Sequence, residues 1–600
     1  MTLPPFAAAW PERNRALLAK LIREFAYEES FTPQQDGDGW TLRLASGVTY
    51  RFQAVRGIWG SLTITPESLT RDGVTVTEAL PFLLDAQAEF AAAPEVLAGY
   101  GRELLHTLLA DSAVLARNAG QSAAALIALP DDDLQSYLDG HPKAPGSKGR
   151  LGWGLESLTA YAPEFGGRFQ VVWAAAHRDA CRWSAGADIT PQGLLRASLS
   201  DPEVAAFDQR LRDQGLDPAQ YLPLPIHPWQ WQAMIAPAFA GEIAAQRLVP
   251  LGPLGDAYRP LQSLRTLANA DRPRELHLKL ALTVLNTSAW RGIPGKYLAI
   301  GPIVSDWLKG IVATDPELAE GRRVLVQGEP AGVFYPHPYY EALTDAPYQY
   351  REMLGAIWRE SPALLPGESS AMVGALWHRV ADGPPLACAW IAQSGLSTEE
   401  WLDALFEAVT VPLYHFLARY GVGFIAHGQN IGAVFRQGRP VGVTLKDFQG
   451  DMDLVDAPFP ELDSLAPAAR AALPRKPPLY VAHGLLTGHF VTSLRFLSEA
   501  LREAAGFPED RFYGLLAGVL RRYQTRHPDL AARFAEFDVF APEIHRVCIN
   551  RVRLAIGYGD AAQRPLPTLG TPLRNSLRLG LDAGLAGVPS VSPAVLDPVP

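Results

Sequence analysis

Between Glu275 and Asn286 the chain alternates with period two: Leu276, Leu278, Leu280, Leu282 and Val284 interleave with His277, Lys279, Ala281 and Thr283. That period predicts one β-strand with the leucines on one face and Lys279 on the other. An unpaired ammonium in mid-strand is costly to bury. Lys279 therefore has a buried acid partner, faces solvent, or faces a ligand, and the pattern leaves all three open. A strand of this kind needs a sheet and a large core around it. With 600 residues, 48% of them apolar and 19% charged, the chain has material for two or three domains and needs no staples. This composition excludes wholesale disorder, collagen and coiled coil.

The formal net charge of −10 argues against a nucleic-acid binder, which carries a basic surplus. It does not exclude a locally basic site. Cys181, Cys388 and Cys548 are far apart and form no CxxC, so neither a zinc ribbon nor a disulfide scaffold is signalled. Residues 1–12 hold Pro4, Pro5 and Pro11 and lack the basic and apolar regions of a signal peptide. No run approaches the length of a membrane helix. A cytoplasmic protein with no membrane or nucleic-acid partner is expected.

Apolar spacing at Leu17, Leu18, Leu21, Ile22 and Phe25 predicts a helix over 13–28. Strand-like runs follow at Trp40–Leu44, Val48–Val55 and Ile58–Ile64, punctuated by Gly47 and Gly60 as in a small antiparallel meander. Helical patterns cover 77–109. Asp131, Asp132 and Asp133 precede a Gly/Pro-rich stretch from Gly140 to Arg150, and a first boundary is placed just before it. Thr398–Tyr420 is helical, with Ser397 or Thr398 as N-cap. A hairpin is predicted from Asn430–Arg436, a Gln437–Pro440 turn and Val441–Lys446. The remainder is mostly helical to Arg578, and 581–600 reads as a loose tail.

Four polar segments interrupt apolar surroundings. His141–Arg150 combines glycines, Ser147 and the cations Lys143, Lys148 and Arg150, a composition suited to an anion-binding loop, although it is not a Walker A loop. Ser263-Leu264-Arg265-Thr266, Lys279, and Asn286-Thr287-Ser288 with Arg291 place hydroxyls and cations at strand ends, where a guanidinium can meet phosphate or carboxylate bidentately. His427, Gln429 and Asn430 lie at the same hairpin end as Asp447 and Gln449, a convergence that suits a nucleotide or Mg²⁺ site. A solvated loop for the first segment, and a surface ion pair for Asp447, are the plain alternatives. His227 in Pro225–Gln230 reads as a structural histidine.

In this order, these segments resemble the IucA/IucC family of NRPS-independent siderophore (NIS) synthetases. The matching motifs are Gly140-His141-Pro142, Ser147-Lys148-Gly149-Arg150, Tyr161–Phe165, His227-Pro228-Trp229-Gln230, Ser263–Thr266, Lys279–Arg291, His427–Asn430 and Lys446–Gly450. The resemblance implies an α+β cupped hand with mixed, largely antiparallel sheets and a mostly helical C-terminal part: thumb 1–135, fingers 136–397 and palm 398–580. It also implies an acid–amine ligase that adenylates citrate or a citrate derivative with ATP and condenses it with an amine or alcohol. Ser263, Arg265, Thr266 and Lys279 would hold the ATP phosphates. Thr287 and Arg291 would extend that cradle toward the carboxylate. His427, Gln429, Asn430 and Asp447 would supply palm contacts, Asp447 to Mg²⁺. His141, Ser147, Lys148 and Arg150 would form a mobile phosphate-contacting loop. Lys279, Arg291 and His427 are the candidate catalytic residues, and dimers are common in the family. Two positions depart from its pattern: Ile425 where an acid is usual, and Ala144 where a second histidine is usual.

The implied chemistry fits the residue types. Bringing a carboxylate up to a polyphosphate demands fixed cations and Mg²⁺. This reconciles an acidic protein with a basic site. Two rivals remain at this level. A small-molecule kinase is echoed by His427–Asn430 followed by Asp447-Phe448, but the loop lacks a base aspartate and no GxGxxG lies upstream. A non-catalytic family member is the other.

Overall fold

The computed structural model describes residues 6–287, 289–319, 323–380, 383–560 and 568–582. Ser288 and residues 583–600 of the expected tail lie outside the described residues.

The N-terminal helix Trp10–Tyr27 forms where its apolar spacing predicts, and Leu18, Leu21, Ile22 and Phe25 are fully buried. It packs on an antiparallel sheet of Gln34–Asp36, Gly39–Arg43, Thr49–Phe52, Thr70–Arg71 and Val74–Thr75. The predicted run at Ile58–Ile64 becomes a strand only at Leu62–Ile64, because Ile58-Trp59-Gly60 form the turn of a separate hairpin with Ala54–Arg56. The helical pattern over 77–109 resolves into Pro81–Asp85, Gln87–Phe90 and Pro94–Asn118. Prolines open the first and last of these, where their missing N–H costs nothing.

An eight-stranded sheet forms the middle of the molecule. Its order is Tyr221–Ile226, Phe169–His177, Leu248–Pro260, Thr266–Asn269, His277–Leu280, Gly355–Arg359, Ala331–Phe334 and Arg182–Ala185, antiparallel throughout. The single strand expected over 275–286 is therefore two. His277–Leu280 belongs to this sheet, whereas Leu282–Asn286 leaves it at Ala281 and pairs with Ala289–Arg291 as a ribbon. Both faces are covered, so His277 and Lys279 are as buried as the leucines beside them.

A second, four-stranded sheet runs Arg323–Val326, Arg439–Leu445, Ile431–Arg436 and Glu368–Met372. Its hairpin turn is tighter than the sequence implied. Only Gln437 and Gly438 form it, both at positive φ (48° and 77°), and Arg439 and Pro440 are already strand. Ser397 caps the following helix in a capping box with Glu400. That helix, Thr398–Leu405, continues through a π-turn at Phe406–Thr410 into Val411–Tyr420, and Pro412, with no N–H to donate, coincides with the wider turn. Helices Arg495–Ala505 and Glu509–Arg526 complete a mostly helical C-terminal part, joined by the ribbon Glu543–Cys548 with Thr568–Arg574. The apolar core here also takes in the helix Gly301–Thr314 and residues Leu126 to Leu138, so distant parts of the chain close on one another around the cleft described next.

Candidate active site

Lys279 stands at the centre, 4% exposed, with an ion pair to Asp447 and Glu329 Oε1 3.7 Å away. Of the three possibilities open from sequence, solvent exposure is excluded and a buried acid partner is found. Arg359, on the neighbouring strand, donates to Glu329 Oε1 at 2.7 Å and lies 3.1 Å from Asp447 Oδ1. Two cations and two carboxylates thus share one buried cluster, where each charge is tolerable only because the others are present. Asp447 follows the strand Arg439–Leu445 and adopts φ 72°, a left-handed backbone that costs free energy in a non-glycine residue. Leu264 (66°) and Thr287 (59°), in the other two cleft segments, are strained in the same way. Burial works to raise the Asp447 pKa, but Lys279, Arg359 and Arg265 hold its carboxyl well below the usual range.

His427, Gln429 and Asn430 sit at the open end of the hairpin, as predicted, with Ile431 opposite Leu445. Asn430 Nδ2 donates to Asp451 Oδ2 at 2.8 Å. His427 Nδ1 accepts the Gln429 N–H at 3.3 Å. His141 reaches this group from its loop: its Nδ1 accepts from the N–H groups of Lys143 and Ala144, and its carbonyl accepts from Lys20 Nζ at 2.7 Å. Burial lowers the pKa of both rings. It takes His141 to about 3, helped by the nearby His427, while Asp451 and Asp447 partly oppose the fall at His427. Both imidazoles are therefore neutral at physiological pH. With Nδ1 occupied as an acceptor, each ring carries its proton on Nε2.

Arg291 Nη2 donates to Thr287 Oγ1 at 2.6 Å and to the Asn286 carbonyl at 2.8 Å, tying off the ribbon. Arg265 donates to the Gly292 carbonyl and its charge acts on Asp447, which places the ribbon's end beside the Lys279 cluster. Ser263 Oγ accepts the Thr266 N–H at 3.2 Å, and Thr266 Oγ1 is buried with no partner among the described residues. A cleft of about 580 Å³ opens between the two sheets, and Ser263, Thr266, Gln429, Asn430 and Asp447 line it.

The loop cations are placed differently. Lys148 Nζ is bound to Asp111 at 2.7 Å, and Arg150 forms a two-pronged pair with the buried Glu164. Lys143 Nζ lies 4.4 Å from the centre of the Tyr27 ring and donates to the Val547 carbonyl. Ser147 is buried. Of the four loop residues singled out, only His141 is brought to the His427 group.

Residues 132–378 match the family model described as "IucA / IucC family", and residues 399–561 match one described as "Ferric iron reductase FhuF-like transporter". Over 573 residues the chain is 44% identical to the aerobactin synthase of Escherichia coli, covering 95% of this chain and 98% of that one. The chain belongs to the IucA/IucC family. It is 36% identical to the rhizobactin siderophore biosynthesis protein RhbF of Rhizobium meliloti (strain 1021) over 93% of this chain and 94% of that protein. The aerobactin synthetase IucC of a hypervirulent Klebsiella pneumoniae superposes with a TM-score of 0.86 at 42% identity, over 96% of this chain and 99% of that one. ATP-bound IucA from the same pathotype shares the fold at a TM-score of 0.74 and 17% identity, over 94% and 99%. The α+β architecture with mixed, largely antiparallel sheets is thus the family's own. Among the described residues no helix is long and apolar enough to cross a membrane.

Several residues of this family member's cleft carried no signal in the sequence reading. Arg359 and Glu329 complete the Lys279 cluster but lie in short apolar strands or beside them. Asp131 and Asp132 served only to mark a boundary. Both line the cleft, Asp131 Oδ1 accepting the Met372 N–H at 3.0 Å and Asp132 lying 3.6 Å from His277 Nε2. The period-two pattern did contain one clue, because His277 shares its strand face with Lys279. Asp451, four residues beyond Asp447, was passed over. Among the described residues no three His, Cys, Asp or Glu side chains form a metal cage. Asp447 lines the cleft while it pairs with Lys279 and Arg359 through Oδ1, so its carboxylate is a hard oxygen donor at the cleft. That fits Mg²⁺, which commonly takes one or two protein carboxylates and completes its shell with water and phosphate.

Proposed function

We propose that this protein is a siderophore-synthesis ligase: it adenylates a carboxylate of citrate or a citrate derivative with ATP, then condenses it with an amine or alcohol. The observation that carries this reading is the buried Lys279–Asp447–Arg359–Glu329 cluster at the wall of a cleft lined by hydroxyl and amide groups. A cluster with balanced charge can exchange one partner for a polyphosphate without exposing an uncompensated charge. In the first step a substrate carboxylate oxygen bonds to the α-phosphorus and the bond to pyrophosphate breaks. In the second, the amine or alcohol bonds to the acyl carbon and AMP leaves.

Ser263, Arg265, Thr266, Lys279 and Thr287 are assigned to the phosphates, Gln429 and Asn430 to the nucleotide from the palm, and Arg291 to the carboxylate. The Asp447 carboxylate would hold Mg²⁺, which when bound neutralises phosphate charge. His427 and His141, neutral with the proton on Nε2, act as donors rather than bases and steady the developing oxyanion. Asp451, which accepts from Asn430 and is the carboxylate acting most strongly on His427, steadies these two palm residues, and the nucleophile's proton passes to a carboxylate or to water as it attacks. Ser147, Lys148 and Arg150 meet phosphate only by giving up their present surroundings, so their first role is to hold the loop that presents His141. The division into thumb, fingers and palm at residues 135 and 397, a homodimer and a cytoplasmic location belong to the same proposal.

The test is product analysis with ATP, Mg²⁺, a citrate-type acid and hydroxylamine as trapping nucleophile. AMP, pyrophosphate and a hydroxamate are expected. ADP as the sole nucleotide product would replace this reading with phosphoryl transfer to a small molecule.

A further inference from the structure

Beside the cleft, and sharing Asp132 with it as a wall, lies a second pocket of about 420 Å³. Three arginines line it. Arg117 ends the helix Pro94–Asn118, Arg168 precedes the strand Phe169–His177, and Arg259 lies near the end of Leu248–Pro260. Tyr258 pairs with Phe169 at the end of that ladder, and Arg259 and Arg168 are the next residues on the two segments, so like charges adjoin at the sheet's end. Arg259 is tied to Asp133. Arg117 and Arg168 have no hydrogen bond or ion pair among the described residues. Arg117 Nε is buried and unpartnered. Its guanidinium lies 4.5 Å from the centre of the Tyr137 ring and presses against Gly166, where an added Cβ would come within 2.6 Å of both terminal nitrogens. Gly166 has φ 65°, so the close approach and the backbone conformation both call for glycine there. Arg117 is thus held in one place while most of its donors are left unused. Burial lowers the Arg259 pKa; Asp132 works against the fall and the charge of Arg117 adds to it, so the two cations feel each other.

Arg117, held in place and partly desolvated, and Arg168 beside it lack acid partners, while Asp133 and Asp132, which also line the pocket, are engaged by Arg259; the two unengaged guanidinium groups are matched by an anion with several oxygens. We propose that this pocket is a second, separate anion site, which binds a small polyanionic oxyanion through the forks of Arg117 and Arg168, with Arg259 and Asp133 as its inner wall. Its chemistry suits two sources equally: pyrophosphate, the leaving group of the proposed adenylation, and a di- or tricarboxylate of the citrate type.

Binding of pyrophosphate and of citrate, each alone, is measured by calorimetry on the full chain and located in crystals soaked with the same anion. Lys279→Met removes one cation of the cluster at the cleft wall and should leave binding in the second pocket in place. Arg168 is exposed, so Arg168→Ala does not threaten the fold. It and Arg117→Gln should each weaken binding about tenfold or more, the equivalent of one charge-assisted hydrogen bond. Density in the pocket with pyrophosphate only, or citrate only, identifies the source, and either result supports the site. No density there with either anion, or affinities unchanged in both arginine variants, overturns it. Because the readout is binding, failure of the ligase reading would leave this result standing.

Discussion

Two segments of this chain look alike in sequence and differ in structure. The loop from His141 to Arg150 and the strand ends from Ser263 to Arg291 both mix cations, hydroxyls and small residues. In the loop each cation is already committed: Lys143 to Tyr27 and Val547, Lys148 to Asp111, Arg150 to Glu164. Its backbone is held as well, by Lys20 and Arg23 of the N-terminal helix and by Asn550 near the other end of the chain. At the strand ends Lys279 shares Asp447 and Glu329 with Arg359 at the edge of a cleft. One region uses charge to fix a loop, and the other stores charge where a ligand can redistribute it. The type of residue does not separate these uses. The partner and the access do.

The contrast can be broken by experiment. Arg150→Met leaves the buried Glu164 without its partner and should cost about 3–5 kcal/mol of stability, read from urea denaturation. If the midpoint does not move, the loop is not held as described. Lys279→Met should act mainly on turnover. Arg359 still holds both carboxylates but leaves one buried negative charge uncompensated, so some stability is lost, while pyrophosphate release per folded molecule falls about 10²–10³-fold. A large drop in stability with normal turnover of the folded fraction would erase the distinction between the two regions.

Arg291→Ala should reduce kcat/KM for the carboxylate about tenfold to a hundredfold, with Arg291→Lys restoring part of it because an ammonium lacks the planar fork. Unchanged kinetics in the alanine variant would remove Arg291 from the substrate site.

The mildest effect near neutrality is acid sensitivity. His141 and His227 are depressed by burial to about 3, from an ordinary 6.5. Between those values the unfolded chain takes up protons that the native state refuses, so stability is lost as pH falls from about 6.5 toward 3. A urea midpoint that stays level across this window would show that the two rings are not buried in neutral form.

Much of the site was legible because its residues come in short runs. Ser263–Thr266 and His427–Asn430 each deliver several polar groups to one place through local geometry alone. Arg359, Glu329, Asp131 and Asp132 were not legible, since each lies in a different segment and meets the cleft only through sheet pairing or core packing. The strand over 275–286 shows the same boundary. Its alternation was real, but coverage of the second face depends on residues as far as 168 positions away.

By itself the sequence determined the local elements: the Trp10–Tyr27 helix, the capping box at Ser397, the hairpin around Gly438, and the order of motifs that marks the family. These follow from backbone preferences and nearest-neighbour patterning, which act over a few residues. Only the tertiary structure decided which cations were free to serve a ligand. A buried charge takes its character from whatever partner the fold sets beside it, and Glu164 for Arg150 and Asp447 for Lys279 lie 14 and 168 residues away along the chain.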